Sequence, residues 1–319
     1  MIQINTPSRL HFTLIDLNAE LGRVDGGAGL TLDDPSMRLS ATETNEGVFV
    51  TGTGDLKRIK TAAEVLIPEG KGIHIKVEQP FPAHVGLGSG TQSALAAGWC
   101  VNLVFDLGLT VREVAVKVAR GGTSGIGVEA FEHGGFIVDG GHRFADKGAF
   151  SPSSASKVPP GPVLFRHDFP DWPLVVAIPD LKGASSQREV DIFKHYCPIP
   201  LGEVQAVSHI ILMNMLPSII EADMQAFGDA INRIQEVGFK EREVGLQTDE
   251  VRRCMDIMRE QGACGAGMSS FGPAVYAVAE EPGEVKKAVT EFLDSTIGGQ
   301  VFVTVARNTG AKITIKEGA

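Results

Sequence analysis

The spacing of apolar and polar residues changes character along the chain. Near the start, Leu10, Phe12 and Leu14 alternate with Arg9, His11 and Thr13. A period of two belongs to a strand with unlike faces. Residues 30–32, 37–50 and 72–77 read as further strands. From 89 to 105 the chain is Ala-rich and almost continuously apolar, which predicts a buried helix. Val111, Val114, Ala115 and Val118 then recur at i, i+3, i+4 and i+7, an amphipathic helix that Thr110 can cap. The Ser- and Pro-rich stretch 151–162 predicts the break between two domains, 1–155 and 156–319. Beyond it, 172–178 reads as a buried strand. Met224, Phe227, Ile231 and Ile234 mark one face of a helix capped by Asp223, and 251–259 reads as another helix. The tail runs strand (274–279), helix from Pro282, strand (301–305), with 312–315 as one more candidate strand. Strands first and helices interspersed predict an α+β fold rather than regular βαβ repetition.

Composition narrows the function classes. The chain has 319 residues, 43% hydrophobic and 21% charged, the balance of a globular protein rather than a disordered chain or a coiled coil. A formal net charge of −10 argues against a dedicated nucleic-acid binder, which needs a basic face. The apolar runs are short and interrupted, so neither a membrane span nor a membrane partner is expected. Met1 leads straight into strand-like alternation without a leader, and the four cysteines form no CxxC pair. Both features predict reduced thiols and a cytoplasmic location.

Glycine, at 38 residues, is the outlier, and it concentrates where chemistry is expected. Residues 82–91, PAHVGLGSGT, follow a predicted strand and open the long apolar helix. Glycines let backbone N–H groups close around an anion, and a helix start adds unsatisfied donors. Gly86, Gly88, Ser89, Gly90 and Thr91 are therefore candidate phosphate-binding residues. Residues 121–127, GGTSGIG, enter a short helix on which Glu129, Glu132 and His133 share a face. That trio suits a metal, an acid–base pair or simply a solvated surface. A third loop, 262–273, holds Ser269, Ser270 and Gly272 just before a strand, where it can close over a ligand or merely connect. The wet face of the first strand and the residues after it supply Arg9, His11, Asp16, Arg23 and Asp25. A guanidinium such as that of Arg9 grips phosphate or carboxylate through its planar fork.

Three glycine loops in this order resemble the GHMP small-molecule kinase superfamily. The resemblance implies a ribosomal protein S5 domain 2-like N-terminal domain and a ferredoxin-like C-terminal domain. Two positions depart from the kinase pattern. Gly90 stands where the phosphate loop usually has a second, metal-assisting serine, for which Thr91 or Ser93 can substitute. Gly127 stands where many of these kinases carry an aspartate serving the phosphoryl acceptor, and glycine cannot orient or deprotonate a hydroxyl.

Residues 6–17 (TPSRLHFTLIDL) and 21–27 (LGRVDGG), with GLGSGTQ and GGTSGIG, also resemble the archaeal β-ribofuranosylaminobenzene 5'-phosphate synthases, which share the GHMP fold without being kinases. That resemblance implies condensation of phosphoribosyl pyrophosphate with 4-aminobenzoate in methanopterin biosynthesis, giving the C-riboside 5'-phosphate, CO2 and pyrophosphate. It also implies Mg²⁺ and a homodimer. On this reading Arg9, His11 and Asp25 are the catalytic candidates, with Arg9 and His11 meeting substrate anions. Arg23, Ser124, Gly125, Ser269, Ser270 and Gly272 line the substrate pocket. An ATP-dependent GHMP kinase, its decarboxylating relative and a phosphosugar-binding sensor remain alternatives.

Overall fold

A long hairpin organises the first half of the computed structural model, which describes residues 1–153, 155–183 and 186–316. β1 (Ile2–Asp16) and β2 (Arg23–Thr44) run antiparallel, from Ile2 opposite Ala41 to Asp16 opposite Asp25. The register shifts between Thr6 and Ser8 and again between His11 and Thr13. Such bulges twist a strand and re-aim its side chains. β3 (Gly47–Thr51), α1 (Leu56–Leu66) and β4 (Gly72–Gln79) make a crossover whose strands pair in parallel. Then follow α2 (Ser89–Val104), α3 (Val111–Lys117), α4 (Ile126–Glu132), β5 (Phe136–Asp139), β6 (His142–Arg143), α5 (Phe144–Lys147) and β7 (Val163–His167). α1, α2 and α3 cover the sheet with a core that includes Ile59, Leu95, Val101 and Val114.

The second half comprises β8 (Leu174–Pro179), α6 (Ser186–Tyr196), α7 (Leu201–Ile210), a π-helical turn (Ile211–Met215) and α8 (Leu216–Ile220). It continues with α9 (Met224–Ile234), α10 (Gly238–Gly245), α11 (Asp249–Glu260), β9 (Gly265–Met268), β10 (Val275–Val278), α12 (Pro282–Asp294) and β11 (Gly299–Thr304). Its sheet has the antiparallel order β11-β8-β10-β9, the fourth-first-third-second arrangement of a ferredoxin-like domain. β12 (Lys312–Ile315) returns to the first sheet and pairs with β1.

Several sequence expectations hold. Thr110 forms a full capping box with Glu113, and the Asp223 side chain accepts from the Ala226 N–H at 2.9 Å. Others need correction. The single strand expected over 37–50 is two strands, because the chain bends at 45–46. The division at 155/156 does not match the sheets: β7 lies beyond it yet pairs with β5, and β12 also belongs to the first sheet. The apolar runs are not all short. Leu201–Ile220 is one continuous helix of 20 residues with a mean hydropathy of 1.3, apolar and long enough to span a membrane. It sets Val207, Ile211, Met215 and Ile219 into the protein core and leaves Leu212, Met213 and Ile220 exposed.

β1 joins the halves. Its Leu10 and Phe12 belong to a core shared with α9 and β10. The Phe12 ring lies 5.2 Å from that of Tyr276 and 6.0 Å from that of Phe227. Burial of these large rings fixes the two halves against each other and so fixes the cleft between them.

Candidate active site

The cleft is built where three glycine-rich loops converge on the Arg9–His11 segment of β1. Its wider part, about 290 Å³, is lined among others by Arg9, His11, Thr91, Ser124, Glu189 and Ser270. A smaller hollow of about 140 Å³ continues over Gly86, Gly88, Ser89 and Gly90 and is bounded by Gly272. Arg9, Thr91, Arg120, Glu189, Ser270 and Phe271 border both.

The phosphate loop is pinned from two sides. Gly86 and Gly88 have φ of +92° and +87°, a left-handed conformation that L side chains rarely adopt. Gly88 is the N-cap of α2 and offers no side-chain cap, so the helix start faces the hollow with free donors. The Arg9 N–H donates to the Leu87 carbonyl at 3.0 Å, and its guanidinium Nη1 donates to the Gly86 carbonyl. From the other half, Ser269 Oγ donates to the same Gly86 carbonyl at 2.8 Å and accepts from the His11 N–H at 3.0 Å.

Position 90 shows why the expected serine is missing. A Cβ there would overlap Nη1 of Arg58, which reaches over the loop from the first turn of α1. Arg58 is held by Asp55, whose Oδ2 is 2.9 Å from Nε. Beside it stands Arg120, whose buried Nε has no hydrogen-bond partner among the described residues. Burial and the nearby Arg58 charge bring Arg120 down to about 10, still cationic at neutral pH. Ser93 offers no substitute hydroxyl, since its Oγ is buried 3.6 Å from Met37 Sδ.

Position 127 is crowded more mildly. The Thr91 methyl lies 3.0 Å from where a Cβ of residue 127 would stand. The Gly127 carbonyl also accepts from Gln92 Nε2 at 2.7 Å. An aspartate would have to displace the side chain of a cleft residue.

Charge in the cleft is mixed. Burial lowers Arg9 to about 10, and the Glu189 and Glu243 charges oppose that fall. Burial and Glu243 push the Glu189 carboxyl up to about 7. Glu243 is itself raised by burial, although it is paired with the buried Lys240. Lys240 Nζ also donates to the Ser270 carbonyl at 3.0 Å and so props up the third loop. Aromatic rings close one wall: Phe193 lies one turn after Glu189 on α6, its ring 6.3 Å from that of Phe271.

The sequence candidates separate cleanly. Arg9, His11, Gly86, Gly88, Ser89, Gly90, Thr91, Ser124, Ser270 and Gly272 line the cleft. His11 does not meet anions as a cation. Burial first, then the Arg9 and Lys240 charges, holds its imidazole well below the usual histidine value, and its buried Nδ1 has no partner among the described residues. Asp25 is fully buried beneath the cleft. Lys147 Nζ lies 2.7 Å from each of its carboxylate oxygens, and His142 Nδ1 lies 2.7 Å from Oδ2. Lys147 in turn donates to Thr123 Oγ1 at 3.1 Å, so Asp25 supports the 121–127 loop from behind rather than touching a ligand. Arg23 is exposed and clamps the Gly140 and Gly141 carbonyls. Asp16 accepts from the Asn18 and Ala19 N–H groups as a turn cap. Gly125 is the N-cap of α4, with its N–H on Asp139 at 3.1 Å, and Ser269 is spent on the bridge to Gly86.

Glu129, Glu132 and His133 do bring their ligand atoms within 4.8 Å of one another, with His133 Nδ1 2.7 Å from Glu129. None of the three borders the cleft. Sequence reasoning missed Arg58, Arg120, Glu189, Glu243 and Lys240. Of these only Arg120, immediately before Gly121, carried a local signal.

Comparison with known proteins agrees with this architecture. Residues 57–135 match the GHMP kinases N terminal domain, and 215–295 match the GHMP kinases C terminal family. The solved homoserine kinase of Cytophaga hutchinsonii superposes with a TM-score of 0.71 at 17% identity, over 98% of this chain and 97% of that one. At that identity the likeness shows the fold alone. The chain is 45% identical to the beta-ribofuranosylphenol 5'-phosphate synthase of Archaeoglobus fulgidus, over 99% of its own length and 100% of the relative's. It is 48% identical to the protein of the same name from Methanothermobacter thermautotrophicus, over 97% of each. A kinase-type scaffold with glycine at the usual serine and aspartate positions, together with these near-full-length matches, places the chain in the beta-ribofuranosylphenol 5'-phosphate synthase family of enzymes.

Proposed function

We propose that the cleft transfers the 5-phosphoribosyl group of phosphoribosyl pyrophosphate to the carboxyl-bearing carbon of a para-substituted benzoic acid, with loss of CO2. The carrying observation is the guanidinium cluster of Arg9, Arg58 and Arg120 around the glycine loop and the start of α2. That cluster suits a leaving diphosphate, and no side chain stands at 127 to activate a phosphoryl acceptor. The relatives are named for a phenol product, which favours a para-hydroxyl acid as acceptor. A para-amino acid follows the same electron flow.

The donor's diphosphate lies against the backbone N–H groups of the loop, with Arg9 alongside. As the C1–O bond lengthens, C1 gains positive character and the leaving oxygen gains charge, which fixed donors and guanidiniums stabilise without reorganisation. The para substituent pushes electrons through the ring to the carbon that attacks C1. Loss of CO2 from that same carbon then returns an electron pair to the ring and restores aromaticity. Phe193, Phe271 and Leu14 offer apolar surface for the ring and keep water from the ribosyl centre. Neutral His11 borders the ring-facing part of the cleft and adds no cation there.

The donor set fits a divalent cation such as Mg²⁺. The Ser89 and Thr91 hydroxyls and the Glu189 carboxylate border one hollow, and they are oxygen ligands of the kind a hard cation takes. Burial and the Glu243 charge hold the Glu189 carboxyl up, an imbalance that a cation would relieve. When bound, the ion would screen the diphosphate charge.

Competition between 4-hydroxybenzoate and 4-aminobenzoate, each with phosphoribosyl pyrophosphate and Mg²⁺, tests the proposal. Product identity is read by proton NMR of the anomeric position. A carbon-linked riboside from at least one acid supports the reading. Hydrolysis of the donor alone, or ATP consumption with either acid, overturns it.

A further inference from the structure

We infer that Arg58 is the leaving-group cation of this enzyme and that Gly90 is glycine in order to admit it. The inference rests on the ribosyl-transfer reading and names the residue pair that adapts the phosphate loop to it. Gly90 lies in the first turn of α2 and borders the hollow. The space its Cβ would take is filled by Arg58 Nη1. Arg58 is anchored along one edge only: Nε faces Asp55, and Asp55 is itself fixed as the N-cap of α1 by accepting the Arg58 N–H at 3.1 Å. The other edge of the guanidinium is directed at the loop.

Arg120 gives the second observation. Two guanidiniums stand close enough for the charge of Arg58 to add to burial in lowering the Arg120 pKa, and the buried Nε of Arg120 has no hydrogen-bond partner among the described residues. Asp55 supplies a counter-charge to both. Like charges held together this way repel in the free protein and are relieved when an anion binds. Both side chains border the wider cleft beside Thr91, on the route from the glycine loop to Arg9. A diphosphate seated on the loop meets a planar fork here instead of a hydroxyl.

The step balances without another reactant. The C1–O bond of the ribosyl donor breaks and its electron pair goes to the diphosphate oxygen. A bond forms between C1 and the arene carbon, and the electrons of the C–CO2 bond return to the ring. The negative charge that grows on the leaving oxygen is what Arg58 meets.

The test is a double-mutant cycle of Arg58→Ala and Gly90→Ser, read as kcat for ribosyl transfer and as affinity for inorganic pyrophosphate by calorimetry. Each single variant should lose about 10²- to 10³-fold in kcat, because each removes the guanidinium from the loop. The double variant should be no worse than either single one. Free guanidinium at millimolar concentration should restore part of the Arg58→Ala turnover, which a merely structural role would not allow. Arg58→Lys keeps the charge without the fork and serves if Arg58→Ala fails to fold; it should retain pyrophosphate binding while losing at least tenfold in kcat. Losses that multiply in the double variant, or an Arg58→Ala enzyme within threefold of wild type, overturn the inference. If wild type itself transfers no ribosyl group, the underlying reading fails instead, and the calorimetry still reports whether Arg58 binds pyrophosphate.

Discussion

Ser269 Oγ donates to the Gly86 carbonyl at 2.8 Å, so a loop of the second half of the molecule holds the phosphate loop of the first half. The same hydroxyl accepts the His11 N–H at 3.0 Å. One buried oxygen therefore sets the spacing between β1, the phosphate loop and the third loop. Ser269→Ala leaves the His11 N–H without this acceptor and the Gly86 carbonyl with one donor fewer. We expect a stability loss of about 1–3 kcal/mol by urea titration. The Michaelis constant for the ribosyl donor should rise together with a fall in kcat, since the loop shifts against the reacting carbon. An enzyme with unchanged stability and kinetics would show that the bridge does not position the loop.

Asp25 was legible as a polar strand residue, and its real work is support. Its carboxylate is buried between Lys147 and His142. Removing one partner from a buried ion pair leaves an uncompensated charge. Lys147→Met should therefore cost about 3–5 kcal/mol, measured by chemical denaturation. Asp25→Asn should destabilise too, with residual activity in whatever fraction stays folded. A folded Asp25→Asn enzyme that binds both substrates normally yet has no detectable turnover would return Asp25 to the list of reacting groups.

Asp139 gives a pH prediction. Burial pushes its carboxyl from 3.8 up to about 6, against the pull of N–H groups at Gly141 and Gly125, the Ser124 hydroxyl and the His142 charge. A raised folded-state value means that the group's contribution is full below the unfolded value and fades as pH climbs through the folded one. Between about pH 4 and pH 6.5, wild type should lose up to about 3 kcal/mol relative to Asp139→Asn. Urea titrations of the two proteins across that range check this. A stability difference that does not change with pH would mean that folding leaves the Asp139 carboxyl at its ordinary value.

Gly127→Asp tests whether the chain is one residue away from a kinase. Thr91 occupies the approach to that position, and Thr91 borders the cleft. The variant should lose ribosyl transfer by tenfold or more and gain no ATP-dependent phosphorylation of any alcohol substrate. Phosphoryl transfer by Gly127→Asp would show that the cleft keeps a working nucleotide site.

Local signals carried far in the sequence. The capping box at Thr110, the helix face from Met224 to Ile234 and the glycine loop at 86–91 each follow from residues close in the chain. Arg9 and Ser270 were also readable, one from strand alternation and one from a glycine-rich turn. What failed was everything that depends on layers meeting. Asp25 looked wet because alternation reports faces of a strand, not what covers them, and here the 142–147 segment covers it. Arg23 read as a substrate-pocket residue, yet its guanidinium is taken by carbonyls 117 and 118 residues away. Arg58 stands 32 residues before the glycine it displaces, on a helix whose pattern predicts only packing. Glu189 and Glu243 come from two further helices that no nearby motif marks. The glycines at 90 and 127 were readable only as missing groups, because the side chains that exclude larger residues there belong to other elements.

The most direct measurement follows carboxyl-labelled 4-hydroxybenzoate, and 4-aminobenzoate in parallel, with phosphoribosyl pyrophosphate and Mg²⁺. The account predicts labelled CO2 and free pyrophosphate released in equal amounts with at least one acid, both strictly dependent on enzyme and donor. Pyrophosphate release without CO2 from either acid, or CO2 release that needs ATP, would contradict it.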